Sequence, residues 1–231
     1  MNEPKYLIVP FDHQYLVENP VQLSVLAKFY CSIWEIDENF GEYRQCPNCH
    51  RYYNYQQVVH QGINSCSDCK LPLDLAWEPA KVAMDLLETS NQTKNRFSGL
   101  LAFDPNGNIV GFAWAKILSS LEISTSWGNQ ISGQLQQINT TPEVAYFNEL
   151  AVSPSMRGHN IGKNMVRIIC QWMKDNHGEK MALLRTHEAS TARWIYGKTG
   201  YTIFATDSMY GYGRIMMMAN PCSSLTISNL I

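Results

Sequence analysis

The run from Ala145 to Gly162, Ala-Tyr-Phe-Asn-Glu-Leu-Ala-Val-Ser-Pro-Ser-Met-Arg-Gly-His-Asn-Ile-Gly, leaves this chain few folds to choose from. Tyr146 to Val152 reads as a strand, because β-favouring and apolar residues dominate a short run that Ser153 and Pro154 then stop. Arg157, Gly158, Asn160 and Gly162 follow in a loop where glycine lets the backbone turn sharply and approach a ligand, and where asparagine tolerates a left-handed conformation. A helix opens at once. Ile161, Met165, Ile168 and Trp172 recur at helical spacing, so the helix presents its unpaired first N–H groups and its positive dipole end to the loop. That end suits a pyrophosphate, with Arg157 and Lys163 adding charge. A bare Arg-Gly-x-x-x-Gly is equally compatible with a tight turn that binds nothing, so the choice rests on what surrounds it.

About twenty-five residues further on, Met181 to Thr186 forms another strand-like run, and a helix follows whose stretch from Thr191 reads Thr-Ala-Arg-Trp-Ile-Tyr-Gly-Lys-Thr-Gly-Tyr. Tyr196 sits near its end and Gly200 is placed to cap it. Together the two segments resemble the GCN5-related N-acetyltransferase (GNAT) family, over most of residues 97 to 218. The hallmarks of that family are a strand, an Arg/Gln-x-x-Gly-x-Gly/Ala loop and helix, then a strand and a helix ending in Tyr-x-x-x-Gly-Phe/Tyr. Here the loop reads Arg157-Gly158-His159-Asn160-Ile161-Gly162, with Asn160 where the family usually has its middle glycine, a mild departure since asparagine is the next best residue for positive φ. Ala189 falls where many members carry an asparagine that contacts the pantetheine arm; Ser190 is the nearest substitute.

The resemblance implies an α+β fold with a central mixed, mostly antiparallel sheet flanked by helices, and acetyl-CoA as co-substrate. It implies that the backbone at Leu150, Ala151 and Val152 pairs with the pantetheine arm and offers an N–H to the thioester oxygen, while Arg157, Gly158, His159, Asn160, Ile161, Gly162 and Lys163 hold the pyrophosphate. Tyr196 matches the tyrosine that protonates the departing CoA sulfur, though on its helix alone it reads as a core tyrosine. Glu149, beside the thioester, is the candidate base, acting directly or through water; a carboxylate there can equally just orient the substrate or make a strand hydrogen bond. The reaction implied is acetyl transfer to a primary amine in a ternary complex. The amine must be neutral to attack, must meet the carbonyl at reacting distance, and needs its oxyanion and thiolate stabilised.

Cysteine gives a second signal. Cys46-Pro-Asn-Cys49 and Cys66-Ser-Asp-Cys69 are two C-x2-C pairs separated by residues 50–65, a gap expected of a four-cysteine zinc site. Two residues between thiolates let both sulfurs reach one ion. Four sulfur ligands close the coordination sphere, so a structural Zn2+ is expected, not a catalytic one. His50 is the first substitute if one cysteine does not ligate. Cys31, Cys170 and Cys222 read as buried or idle thiols. A disulfide role would need an oxidising compartment, and the start Met-Asn-Glu-Pro-Lys-Tyr has neither the basic flank nor the apolar core of an export signal, so a cytoplasmic location is expected.

The chain of 231 residues suffices for one well-buried core with a small appendage, and 45% hydrophobic against 16% charged residues excludes disorder. A net charge of −2 gives no general pull toward nucleic acid or anionic membranes, and no apolar run is long enough to span a bilayer.

In order along the chain, Tyr6 to Val9 reads as a strand ended by Pro10. Asn19 and Pro20 open a helix to about Asp37, on which Val21, Val25, Phe29 and Ile33 repeat every fourth residue. A metal-dependent segment spans roughly Gly41 to Trp77, and a second helix begins near Pro79. Phe97–Phe103 and Ile109–Leu118 flank Asp104-Pro-Asn-Gly-Asn108, a hairpin signal. Ser119 to Pro142 is too long and polar for an ordinary connection and reads as a substrate loop or a decorated hairpin. Strand-like runs to Ala205 and from Arg214 to Met218 flank Gly211-Tyr-Gly213; the methionine run reads as packing. The domain division expected is an acetyltransferase domain at 1–40 and 77–231, with a zinc ribbon inserted at 41–76.

A different class of function is a binding module: a ribbon holding a protein or nucleic acid on a CoA-binding domain that has lost catalysis or serves as a sensor. Tyr43, Tyr52, Tyr53 and Tyr55 are able to stack on bases, but Arg44, Arg51 and Lys70 against Glu42 and Asp68 make too small a basic excess for a phosphate track. A partner protein at the ribbon, or a purely structural ribbon, is the preferred reading.

Overall fold

The computed structural model describes residues 6–36, 43–91, 96–119, 121–123, 125, 133–135, 137, 143–206 and 214–226. The chain divides into two compact units, residues 1–12 with 92–231, and residues 13–91.

The first unit is built on a seven-stranded sheet: β1 (Leu7–Phe11), β5 (Phe97–Phe103), β6 (Ile109–Ser119), β7 (Glu143–Val152), β8 (Met181–His187), β10 (Arg214–Ala219) and β9 (Thr202–Thr206), in that spatial order. Every neighbouring pair is antiparallel except β7 and β8. The mostly antiparallel mixed sheet expected from the sequence is therefore present. β5 and β6 form the anticipated hairpin: the Asp104 carboxylate accepts from the backbone N–H of Asn106 and Asn108, and Gly107 takes the positive φ that closes the turn. The expectation that Pro10 ends the first strand is corrected, since pairing continues through Pro10↔Leu100 and Phe11↔Gly99. β1 is an edge strand, and an edge leaves one side of the backbone outside the ladder, where proline's missing N–H costs nothing.

Two helices cover one face of this sheet. α4 (Ile161–His177) buries Ile161, Met165, Val166, Ile169, Cys170 and Met173, and α5 (Thr191–Lys198) buries Tyr196. They join Ala113, Ala115 and Ile117 of β6, Ala145 and Phe147 of β7, and Ile215 and Met217 of β10 in one core. Small residues on β6 let the helix approach closely: a Cβ on Gly111 would stand 3.4 Å from Ile161 Cγ2 and 3.5 Å from Met165 Cε of α4. The opposite face carries Leu118, Val144, Tyr146, Met181, Leu183 and Met216, packed with Ile123 and Leu135. Met216 and Met217 are buried, as packing requires. Arg96, Glu143 and Lys180 join the starts of β5, β7 and β8: Glu143 accepts from Arg96 through one oxygen and lies 3.2 Å from Lys180 through the other.

In the second unit, α2 (Pro20–Ile36) and α3 (Pro79–Ser90) pack together, and α1 (His13–Glu18), which periodicity does not announce, packs on both. Asn19 precedes α2, but its side-chain amide donates back to Tyr15 O at 2.8 Å, tying off α1, and its backbone oxygen takes the first bond of α2 from Leu23. That back-bond replaces the side-chain cap expected at this position. Between α2 and α3 lie β2 (Arg44–Gln45), β3 (Tyr52–Tyr53), a π-helical turn (Gln56–His60) and β4 (Asp74–Leu75), with strand order β3-β2-β4.

Of the 119–142 connection, expected as a substrate loop or a decorated hairpin, Ser119 ends β6 and residues 121–123, 125, 133–135 and 137 are helical; the rest, and Gly211 to Gly213, lie outside the described residues.

Candidate active site and metal centre

β7 and β8 part company halfway. They pair in parallel from Val144↔Met181 to Phe147↔Leu184 and no further, while β6 stays paired with β7 to Val152 and β10 stays paired with β8 to His187. Asn148 to Val152 thus runs beside Arg185 to His187 without a ladder between them among the described residues, which opens a wedge between the two strands. Leu150, Ala151 and Val152, the backbone singled out from the sequence, lie on its β7 side.

The wedge begins at a bulge. The register of β6 on β7 shifts between Trp114↔Glu149 and Ala115↔Phe147, so Asn148 is one residue too many. The consequence is a change of face. Strict alternation would send Glu149 into the helix-covered core with Ala145 and Phe147; the extra residue sends Leu150 and Val152 there and places Glu149 with Trp114 and Tyr146 on the opposite face. Asn148 Nδ2 donates to Glu149 Oε1 at 3.1 Å, holding the carboxylate at the bulge. Tyr146 and Asn148 were not singled out from the sequence, and nothing in a single strand's residues marks a bulge.

Below the wedge, the strand-to-helix loop has the conformation that its residues anticipate. Gly158 lies at φ 85° and Asn160 at φ 63°, both left-handed, and a Cβ on Gly158 would meet nothing within 4 Å. Asn160 is the N-cap of α4 but gives no side-chain cap; the first intrahelical bond runs from Asn164 N to Asn160 O, so Ile161, Gly162 and Lys163 keep N–H groups without an acceptor among the described residues. Gly162 is the close-approach glycine: a Cβ there would stand 3.4 Å from Val152 Cγ2. Arg157 and His159 are exposed, Lys163 is half-buried, and Arg157 Nε donates to Val152 O at 3.3 Å, drawing the loop against the end of β7.

Tyr196 lies in the core at the other side of the wedge, its ring edge-on to Phe147 at 5.6 Å and to Tyr201 at 6.1 Å. Burial pushes its phenol well above the ordinary tyrosine value, with further upward contributions from Cys170, Glu149 and Tyr146. Gly200, at φ 99°, ends α5 as anticipated: Tyr201 N reaches Tyr196 O at 3.1 Å. Ser190 is the N-cap of α5, its Oγ accepting from Ala192 N at 3.2 Å, so its oxygen already serves the helix; Ala189 N donates to His187 Nδ1 at 3.1 Å.

In the second unit Cys46, Cys49, Cys66 and Cys69 bring their sulfurs within 4.8 Å of one another. Each pair sits in the same small turn. His50 N reaches Cys46 O and Lys70 N reaches Cys66 O, with His50 at φ 57° and Lys70 at φ 59°; Cys46 N reaches Arg51 O and Cys66 N reaches Leu71 O. Asn48 Nδ2 donates to Cys69 Sγ at 3.3 Å, and the Cys69 N–H points at Cys66 Sγ. Backbone N–H of Cys69 and the Tyr53 hydroxyl hold the Cys66 thiol down, at about 6. The donor set fits Zn2+: sulfurs about 2.3 Å from a central ion and arranged tetrahedrally lie about 3.8 Å apart, against the 3.6 Å found between Cys49 and Cys66. His50 is not needed. The ribbon tyrosines are engaged within this unit: Tyr53 is buried, receiving from Ser67 N at 2.9 Å, Tyr52 stacks on Trp77, and Tyr43 meets Tyr55 edge-on. No helix of the described residues is long and apolar enough to cross a membrane.

Compared with known proteins, residues 68–201, more than half of the chain, match a family model described as the acetyltransferase (GNAT) family. Mycothiol acetyltransferase of Arthrobacter sp. (strain FB24) is 26% identical over 112 residues, 48% of this chain; the chain spans only 29% of that protein's length. Among solved structures, the polyamine N-acetyltransferase of Drosophila melanogaster aligns with a TM-score of 0.57 at 14% identity, covering 93% of this chain and 99% of that one. A phosphinothricin acetyltransferase from Sinorhizobium meliloti in complex with AcCoA aligns with a TM-score of 0.53 at 11% identity, covering 94% and 89%. At such identities these structures share the fold.

Proposed function

The chain belongs to the acetyltransferase (GNAT) family, and from that premise we propose that it moves an acetyl group from acetyl-CoA to a primary amine by direct attack in a ternary complex. The observation that carries this is the wedge: strand backbone at Leu150 to Val152 past the point where β8 leaves β7, leading to an uncapped helix N-terminus with left-handed Gly158 and Asn160. Backbone amides of the strand would pair with the pantetheine amides and offer an N–H to the thioester oxygen, where negative charge develops as the amine adds. The N–H groups of Ile161, Gly162 and Lys163, with the charges of Arg157 and Lys163, would receive the pyrophosphate, and His159 and Ser190 would lie beside the cofactor.

Glu149 is the group we assign to take the proton from the attacking amine, directly or through water. Its fixed carboxylate faces the side of the sheet away from α4. Tyr196 is assigned to the leaving sulfur. Burial keeps the phenol protonated at every ordinary pH, so a proton is always in place for the thiolate; the same burial makes complete transfer uphill, and the hydrogen bond to the developing thiolate then supplies the stabilisation. Replacing Tyr196 with Phe removes only that oxygen. Thiol release should fall about 100-fold while acetyl-CoA affinity stays within about threefold; unchanged turnover would end the assignment.

We assign structural zinc to Cys46, Cys49, Cys66 and Cys69, and take residues 41–76 as a ribbon inserted in an acetyltransferase domain at 1–40 and 77–231. The metal would cross-link two turns that have few apolar residues to hold them together. Thiolate zinc chemistry calls for a reducing compartment, which supports a cytoplasmic protein. A partner protein at the ribbon remains part of this reading, tested by co-purification with and without residues 41–76.

A further inference from the structure

The side of the sheet that carries Glu149 changes character where the wedge opens. On β8 the residues of this face run Met181, Leu183, Arg185, His187, and on β10, paired with them, Met218, Met216, Arg214. The register puts Leu183 opposite Met218, Arg185 opposite Met216 and His187 opposite Arg214. Met181, Leu183 and Met216 are buried, whereas Arg185, His187 and Arg214 are half-buried. The last parallel rung between β7 and β8 is Phe147↔Leu184. Apolar residues thus fill the row while the two strands are joined, and two guanidinium groups and an imidazole take over from the first position after they separate. Across the gap, the corresponding face of β7 offers the Glu149 carboxylate, turned to this side by the Asn148 bulge.

We propose that the acceptor is an amine that also carries an oxyanion, a carboxylate or a phosphate, its nitrogen received at Glu149 and its anion at Arg185 and Arg214. This rests on the acetyltransferase reading of the same wedge. A fixed carboxylate on one arm and planar guanidinium forks on the other form a dipolar site, and such forks match carboxylate and phosphate oxygens with paired N–H donors. The cofactor's own phosphates do not call for these groups. The loop of Arg157 to Lys163 lies against Val152, whose side chain belongs to the helix-covered face, opposite the face of Arg185 and Arg214. His187 is held by the Ala189 N–H on its Nδ1, and Arg185 follows directly on Leu184, the last residue of β8 paired with β7.

The test compares matched acceptors by release of free CoA thiol: amino acids against their carboxamides, and phosphoethanolamine against ethanolamine. The carboxamide has the more readily deprotonated amine, so intrinsic reactivity works against the expected order. The oxyanion-bearing member should show kcat/KM higher by about tenfold or more, as a charged hydrogen-bonded pair contributes. Arg185→Gln and, separately, Arg214→Gln should bring that ratio toward one. Equal use of both members, preference for the uncharged one, or a ratio unmoved by either substitution would overturn the proposal, and the wild-type ratio decides even if a variant fails to fold. If acetyl-CoA does not bind or no amine releases thiol, the acetyltransferase reading fails by itself. Calorimetric binding of the same pairs then still judges the dipolar site, with Arg-dependent preference supporting it and absence of preference overturning it.

Discussion

Asn160 holds a φ of 63° at the mouth of α4, a conformation that costs an L-residue about 1–2 kcal/mol and that asparagine bears better than most. Asn160→Gly should therefore be neutral to slightly stabilising, with acetyl-CoA affinity kept. Asn160→Val should cost about 1–2 kcal/mol in denaturant unfolding and weaken acetyl-CoA binding, because the N–H groups of the loop would no longer converge. Equal stability of the two variants would contradict the role given to this backbone. The residue was legible from the sequence because its requirement is local: a sharp turn before a helix needs positive φ, and only a few residue types supply it. Glu149 was legible as a residue but not in its direction. A bulge is a property of two paired strands, and the register of β6 on β7 alone shows that Asn148 is the extra residue.

At the scale of elements, the ribbon is the part that chemistry of side chains specifies best. Two C-x2-C pairs suffice to predict it because metal ligation is short-ranged and stereotyped, and the four sulfurs do converge. Metal analysis of protein purified without chelator should return about one zinc per chain. Chelation should lower thermal stability and open residues 43–77 to proteolysis; metal-free protein with an unchanged melting temperature would contradict the assignment. The sheet gives a different test. Burial pushes the Glu143 carboxyl up, but Arg96 and Lys180 outweigh it and hold it below the ordinary glutamate value. A folded value below the unfolded one means that this stabilisation is present above the unfolded pKa and is lost as pH falls through the depressed folded value. The urea midpoint should thus fall on acidification below about pH 4.3. Glu143→Gln should be less stable by up to about 1 kcal/mol at neutral pH and lose less stability than the wild type over that acid range; parallel pH profiles would remove the claim. What the sequence did not disclose at this scale, α1 and the continuation of β1 through Pro10, depends on neighbours. α1 is a short helix tied off by Asn19, and Pro10 is tolerated because β1 is an edge.

For the molecule as a whole, the order of strands and helices was readable because each strand-loop-helix unit carries its own turn chemistry, whereas the parting of β7 from β8 was not. That parting depends on where two distant strands stop pairing, and no residue of either strand encodes it alone. Yet it is what separates Leu150 to Val152 from β8, on the strand that carries Glu149 and just before the loop that starts α4. Acetyl-CoA is therefore the ligand on which the account depends. Calorimetric titration of acetyl-CoA into the zinc-replete protein should give saturable binding at about one site per chain, weakened by Asn160→Val and kept by Tyr196→Phe. A flat titration would contradict the account and leave the wedge as a feature of the fold alone.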